Sequence, residues 1–340
     1  MGTRTRRARR RLATLGAATV LALTASGCVT VHGELALVPA ATRSEAAQAV
    51  KDFTDAYNKA DKAYDPALVA GRTTGALSAI NQAGLKARHS QSPGGNSNHR
   101  PLALTDARFL IPKKAGWPRW FVADTDSNRD TEGGDGRADT RWLLVFVRGG
   151  ADQLWEASHL LTLRAGDVPE FAVDGEGWAR PADGAALAVP ADELSRSYAA
   201  YLQSGSAVGS RPAAGFAPGR DTTGWLDSRK RASQRVGRSM QYLDQALDTG
   251  AYAPLALATE DGGGFVFFAS RHFEKQTAAR GVPLLDLNAD VRVLMTGAPK
   301  STLIKERVSS EVALVPGKGA ADTTVELRSR VQGLVAATGS

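Results

Sequence analysis

Apolar residues recur at helical spacing in one stretch of the chain and at alternate positions in the next, and this order occurs twice. In the first round, Thr42-Arg43-Ser44-Glu45 has the composition of a capping box. Val50, Phe53, Tyr57 and Tyr64 come next at helical spacing. A helix is therefore predicted over 43–63. Asp65-Pro66 is a second start signal, cap then proline. Gly71 and Gly75 should divide the stretch after it into a short helix and a longer one ending near Arg88. From Leu102 the period falls to two, and strands are predicted over 102–111, 120–123, 141–148 and 154–163. Gly149-Gly150-Ala151-Asp152 supplies the hairpin between the last two.

A Pro/Gly-rich connection over 165–190 precedes the second round. One helix is predicted over 191–203 and a long one over 223–247, with Leu226, Val236, Met240, Leu243 and Leu247 on one face and Gly250 as its stop. Strands are then predicted over 252–259, 265–275, 290–296 and 302–315. In the last, Thr302, Ile304, Val308, Val312 and Leu314 share a face, and alternation sends Lys305, Arg307 and Glu311 the other way, toward solvent. The fold class is α+β, in two successive units over 43–175 and 190–340, each of helices followed by an antiparallel meander. Val50, Phe53 and Tyr57 should face inward in the first unit, and Val236, Met240 and Leu243 in the second. This order resembles cystatin-like and nuclear-transport-factor-like rolls, in which a sheet curls around helices. It lacks the βαβ alternation of periplasmic solute-binding proteins.

The N-terminus carries a different pattern. Arg4, Arg6, Arg7, Arg9, Arg10 and Arg11 precede a weakly apolar run from Leu12 to Thr24, and Ala25-Ser26-Gly27 leads into Cys28. This is the layout of an export signal. The run falls short of the ~20 residues that span a bilayer. Cys28 is the chain's one cysteine, and the segment before it resembles the lipobox of bacterial lipoproteins, with Ala25 standing where leucine is usual. The resemblance implies removal of 1–27 and a diacylglyceryl group on the Cys28 sulfur. It places the mature protein on the extracytoplasmic face of the cell membrane. Arg9-Arg10-Arg11-Leu12 loosely resembles a twin-arginine signal as well, so the export route stays open. Residues 28–42 continue with the apolar, partly alternating Val29 to Val38, a short packed segment in place of a flexible linker. The lipobox, the start Cys28-Val29-Thr30-Val31-His32-Gly33-Glu34 and the segment Ala79-Ile80-Asn81-Gln82-Ala83-Gly84 together resemble uncharacterised lipoproteins of high-GC Gram-positive bacteria. That resemblance implies a location and no activity.

The signal also settles the charge. The chain is +7, but residues 1–27 hold six Arg and no acid, so the remainder has 36 basic against 35 acidic residues and a net charge of +1. No global positive field steers it to nucleic acid. Candidate chemistry is sparse. Asp124, Asp126, Asn128, Asp130, Glu132 and Asp135 occupy the spacing of a calcium loop. Arg129 stands where the sharp turn needs glycine, Asp135 where a bidentate glutamate is usual, and the flanks read as strands, so a solvated insertion is expected and no metal. Trp117 and Trp120 read as core and rim. Arg229, Lys230, Arg231, Arg235 and Arg238 read as a solvated helix face. His159, among Trp155, Leu161 and Leu163, reads as a packed histidine. His89 and His99 flank a polar loop without ligand spacing. No P-loop, HExxH, Gly-x-Ser-x-Gly or Ser-x-x-Lys motif occurs. No catalytic residue and no cofactor is expected. The expected role is a lipid-anchored binding or accessory module with an envelope protein or small ligand as partner. The alternative is an enzyme using a pocket within one roll.

Overall fold

A computed structural model describes residues 36–130, 139–206 and 215–340. In chain order the elements are β1 (Val38–Pro39), α1 (Arg43–Ala63), α2 (Gly75–Gln91), β2 (Leu104–Leu110), β3 (Lys113–Lys114), β4 (Arg119–Ser127), β5 (Thr140–Arg148) and β6 (Glu156–Arg164). Then come α3 (Leu194–Ser206), α4 (Thr223–Ser233), β7 (Arg238–Leu247), β8 (Leu255–Ala258), β9 (Gly264–Ala278), α5 (Ala289–Leu294), β10 (Met295–Gly297), β11 (Thr302–Val315) and β12 (Glu326–Gly339). Helices precede strands in each half, as the periods require.

The strands form two main sheets, β2-β4-β5-β6 and β10-β12-β11-β9-β7, with β8 continuing along the same edge of β9 as β7. Pairing is antiparallel except between β10 and β12. Each of these sheets draws its strands from one half of the chain.

Strict alternation builds four layers. On the first sheet, Phe121, Phe146 and Leu144 face α1 and its Val50 and Phe53. Their neighbours Trp120, Val122, Leu143 and Val145 face the second sheet, where they meet Leu257, Phe265, Phe267 and Val312. On the far side of the second sheet, Val266, Phe268, Ala313 and Val315 lie under Leu194, Tyr198, Leu202 and Leu226 of α3 and α4. Both sheets are thus covered on both faces where they overlap. Helix α2 spans the seam, setting Ala76 and Ile80 against Ala269, Val308 and Val335. A Cβ on Gly333 would come within 2.6 Å of the Ile80 side chain, so α2 rests on β12 at a point that only glycine allows.

Several sequence expectations hold. Thr42 and Glu45 form the reciprocal capping box, and α1 ends at Tyr64 in the left-handed conformation, φ 53°. Val50 and Phe53 are buried, and Tyr57 is partly so. Three expectations need correction. The predicted long helix stops at Ser233, and 238–247 is strand β7; Val236 is 94 % exposed and Leu243 48 % exposed rather than inward. The predicted strand at 290–296 is helix α5 followed by the three-residue β10. In β11, Lys305 and Glu311 are buried along with Val308 and Val312: at Glu311 the strand is covered on both faces and has no solvent side, while Lys305 is paired with Glu274 and Asp286.

Candidate functional site

The predicted site residues separate. Cys28 lies outside the described residues. In the acidic loop, Asp124 is held by Arg141, with Nε 2.7 Å from its Oδ1. Asn128 is tied to the preceding chain, accepting from Ala103 N and donating to Pro101 O. Asp126 and Asp130 instead gather with Asp139, their oxygens within 4.8 Å of one another, and Asp130 accepts from Trp142 Nε1. Of the described loop positions, Asp124 and Asn128 thus take partners apart from the group that Asp126 and Asp130 join. Glu132 and Asp135 lie outside the described residues. Trp120 is buried in the core, while Trp117 carries the guanidinium groups of Arg119 and Arg148. His159 is enclosed between the sheets, and burial drives its pKa down to about 4. His99 pairs with Asp61 at 2.9 Å.

The sequence reading missed a buried polar chain on the helix-covered face of the second sheet. Adjacent strands bring Asp244 of β7, Ser270 and His272 of β9 and Glu311 of β11 into line. Asp244 Oδ1 lies 2.8 Å from His272 Nδ1, and His272 Nε2 lies 2.9 Å from Ser270 Oγ. Arg229 of α4 donates to both oxygens of Asp244, at 2.6 and 2.7 Å. It is buried, which overturns the solvated-face reading at this position. Burial pushes the Asp244 carboxyl up, but the bonds and charges of Arg229 and His272 outweigh that and hold it below its ordinary value. Trp225 stacks beneath Arg330 at 3.5 Å and meets His272 edge-on. Carboxylate, imidazole and hydroxyl stand in the order of a hydrolytic triad. The hydroxyl, however, donates to Glu311 Oε1 at 2.5 Å rather than to the imidazole, and Ser270 is fully buried. A nucleophile needs the opposite proton direction and access to substrate. The chain of polar groups reads as a structural clamp tying α4 to three strands.

A second feature is open to ligands. At the seam, α1, α2, the first sheet, β12 and α5 enclose a cavity of about 360 Å³. Its walls include Leu77, Ile80, Trp142, Leu160, Leu294 and Val331. Asn81 is 8 % exposed and lines this cavity, and its Nδ2 is buried without a hydrogen-bond partner. Arg88 and Asp290 line it from exposed positions. The volume is within the range of small-molecule sites, and few polar groups among apolar walls is their usual make-up. The helical period predicted α2, but nothing in the sequence says that both halves converge around it.

The family model "Domain of unknown function (DUF8094)" matches residues 37–339, and the chain belongs to that family. It is similar to an uncharacterized lipoprotein of Streptomyces coelicolor, 53 % identical over 95 % of this chain and 93 % of the relative. An uncharacterized lipoprotein of Streptomyces avermitilis is 51 % identical over 95 % of this chain and 94 % of its own. A second uncharacterized lipoprotein of S. coelicolor is 26 % identical over 63 % of this chain and 59 % of the relative.

Proposed function

We propose that the protein is a lipid-anchored module on the extracytoplasmic face of the cell membrane that works by binding a small ligand. The anchor half of this reading is supported by the signal layout before Cys28 and by relatives named as lipoproteins. Val38 lies ten positions after Cys28, a reach of about 35 Å when fully extended. Strand β1 there pairs with β3, so such a tether keeps the folded body close to the headgroups. The binding half is carried by one observation, the seam cavity with its unpartnered Asn81 amide.

Replacement Cys28→Ser tests the anchor: the protein should leave the membrane fraction, and an acyl-free mature N-terminus in the wild type would sink the idea. The rival enzyme reading predicts that nitrophenyl esters are turned over and that Ser270→Ala abolishes this. The clamp geometry predicts no turnover in either protein.

A further inference from the structure

We infer that the seam cavity takes an acyl compound, a hydrocarbon body that ends in a carbonyl group. This names the ligand class for the binding function proposed above and rests on that reading. The walls set the body. Leu77, Ile80, Leu160 and Leu294 line the space with hydrocarbon, and Trp142 adds an aromatic face. At about 30 Å³ for each water-sized group, 360 Å³ accommodates about a dozen heavy atoms. Such walls gain by contact with an apolar molecule.

Asn81 sets the head. A buried amide nitrogen carries two protons that need acceptors, and leaving them unmatched in apolar surroundings is costly. Within α2, Asn81 lies one turn after Leu77 and one turn before Leu85, which pack toward the first half of the chain, and its Nδ2 has no acceptor within hydrogen-bonding distance. A turn of the amide about its broad second side-chain torsion brings Nδ2 to the cavity, where a ligand carbonyl supplies one. Gly84 lies one turn further along α2 and also lines the cavity, and the Arg88 guanidinium covers it, with Nη2 3.6 Å from where a Cβ would stand. Arg88 and Asp290 both stand at the exposed rim, a cation and an anion that offset each other, so a carboxylate and a neutral amide both depend on Asn81.

Isothermal titration of the full-length mature chain carrying Cys28→Ser, with decanoate, decanamide and the carbonyl-free hydrocarbon naphthalene, tests this. Decanoate and decanamide should each bind saturably at one site. Asn81→Leu keeps the shape and removes the amide. It should weaken both by about tenfold, the usual worth of one buried hydrogen bond. It should also raise the melting temperature of the ligand-free protein, since an unpaired polar group is gone. That rise shows the variant is folded. Leu294→Trp should fill the cavity and remove binding of all three compounds, with circular dichroism confirming the fold. If naphthalene binds and its binding is lost in Leu294→Trp while Asn81→Leu leaves decanoate and decanamide unchanged, the ligand class is wrong and the binding function stands. If none of the three binds the folded protein, both readings fail.

Discussion

At the scale of single residues, the most consequential groups are charges that have no water. Glu311 is fully buried, accepts from Ser270 and lies 3.7 Å from His272 Nε2. Period-two reasoning sends it to solvent, where Glu311→Gln would be silent. In the folded protein that change removes an anion from a buried cluster holding Arg229 and His272, and breaking such a cluster from one side costs about 3 kcal/mol. Urea unfolding of the variant should show a loss of that size. His159 makes the pH prediction. Its pKa falls from 6.5 to about 4 because burial disfavours the charged ring. With a depressed histidine pKa the unfolded chain takes up the proton first. The stabilisation is complete above pH 6.5 and is lost as pH falls toward about 4, by about 3 kcal/mol in all. Denaturant midpoints should trace this decline between those limits, and His159→Gln should flatten it. The packed state of His159 was legible from its apolar neighbours on one strand. Glu311 was not, because alternation gives two faces without saying that both are covered.

At the scale of elements, the helix periods were legible where caps marked them and misleading where they did not. Thr42 to Glu45 fixed the start of α1 to the residue. In the second half, Val236, Met240, Leu243 and Leu247 have spacings that suit a helix, yet Val236 lies in the turn before β7 and the other three lie in β7 itself. Two local facts decide it. Gly237 adopts φ 75° and ends the helical path after α4. Beyond it, Met240, Tyr242, Asp244 and Ala246 alternate onto the helix-covered side of the sheet, paired with Gln276, Glu274, His272 and Ser270 of β9. The buried member of that row is Asp244, a charge, so hydrophobic periodicity was blind to it. The turn gives a test. An added Cβ at Gly237 would sit 3.0 Å from Val282 Cγ2 in a left-handed conformation, so Gly237→Ala should cost about 1–2 kcal/mol. A thermal melt of the variant that matches the wild type would show that the turn relaxes freely.

At the scale of the whole molecule, two sheets from two halves of the chain close over one core. The succession of helices and strands was legible because that order is written in local periods. The meeting of the inner faces was not, since contacts such as His159 with Phe267 join residues far apart in the chain. The packing has a consequence for stability. Each sheet presents one face to its own helices and the other to its neighbour, so neither can lose its partner without exposing half its apolar surface. Helix α2, from the first half, also lies against Ala269, Val308 and Val335 of the second. Unfolding should therefore be one transition despite the two-part chain order. Phe267 is the place to test it: the ring is fully buried between the sheets, 5.4 Å from Phe265 and 6.4 Å from His159 of the opposite sheet. Phe267→Ala should cost about 3–5 kcal/mol. Calorimetry should show a single peak moved to lower temperature, and hydrogen exchange should speed up in β5 and β6 as much as in β9 and β11. Two separate peaks, with only the later half of the chain destabilised, would mean that the shared core contributes little and that the halves fold independently.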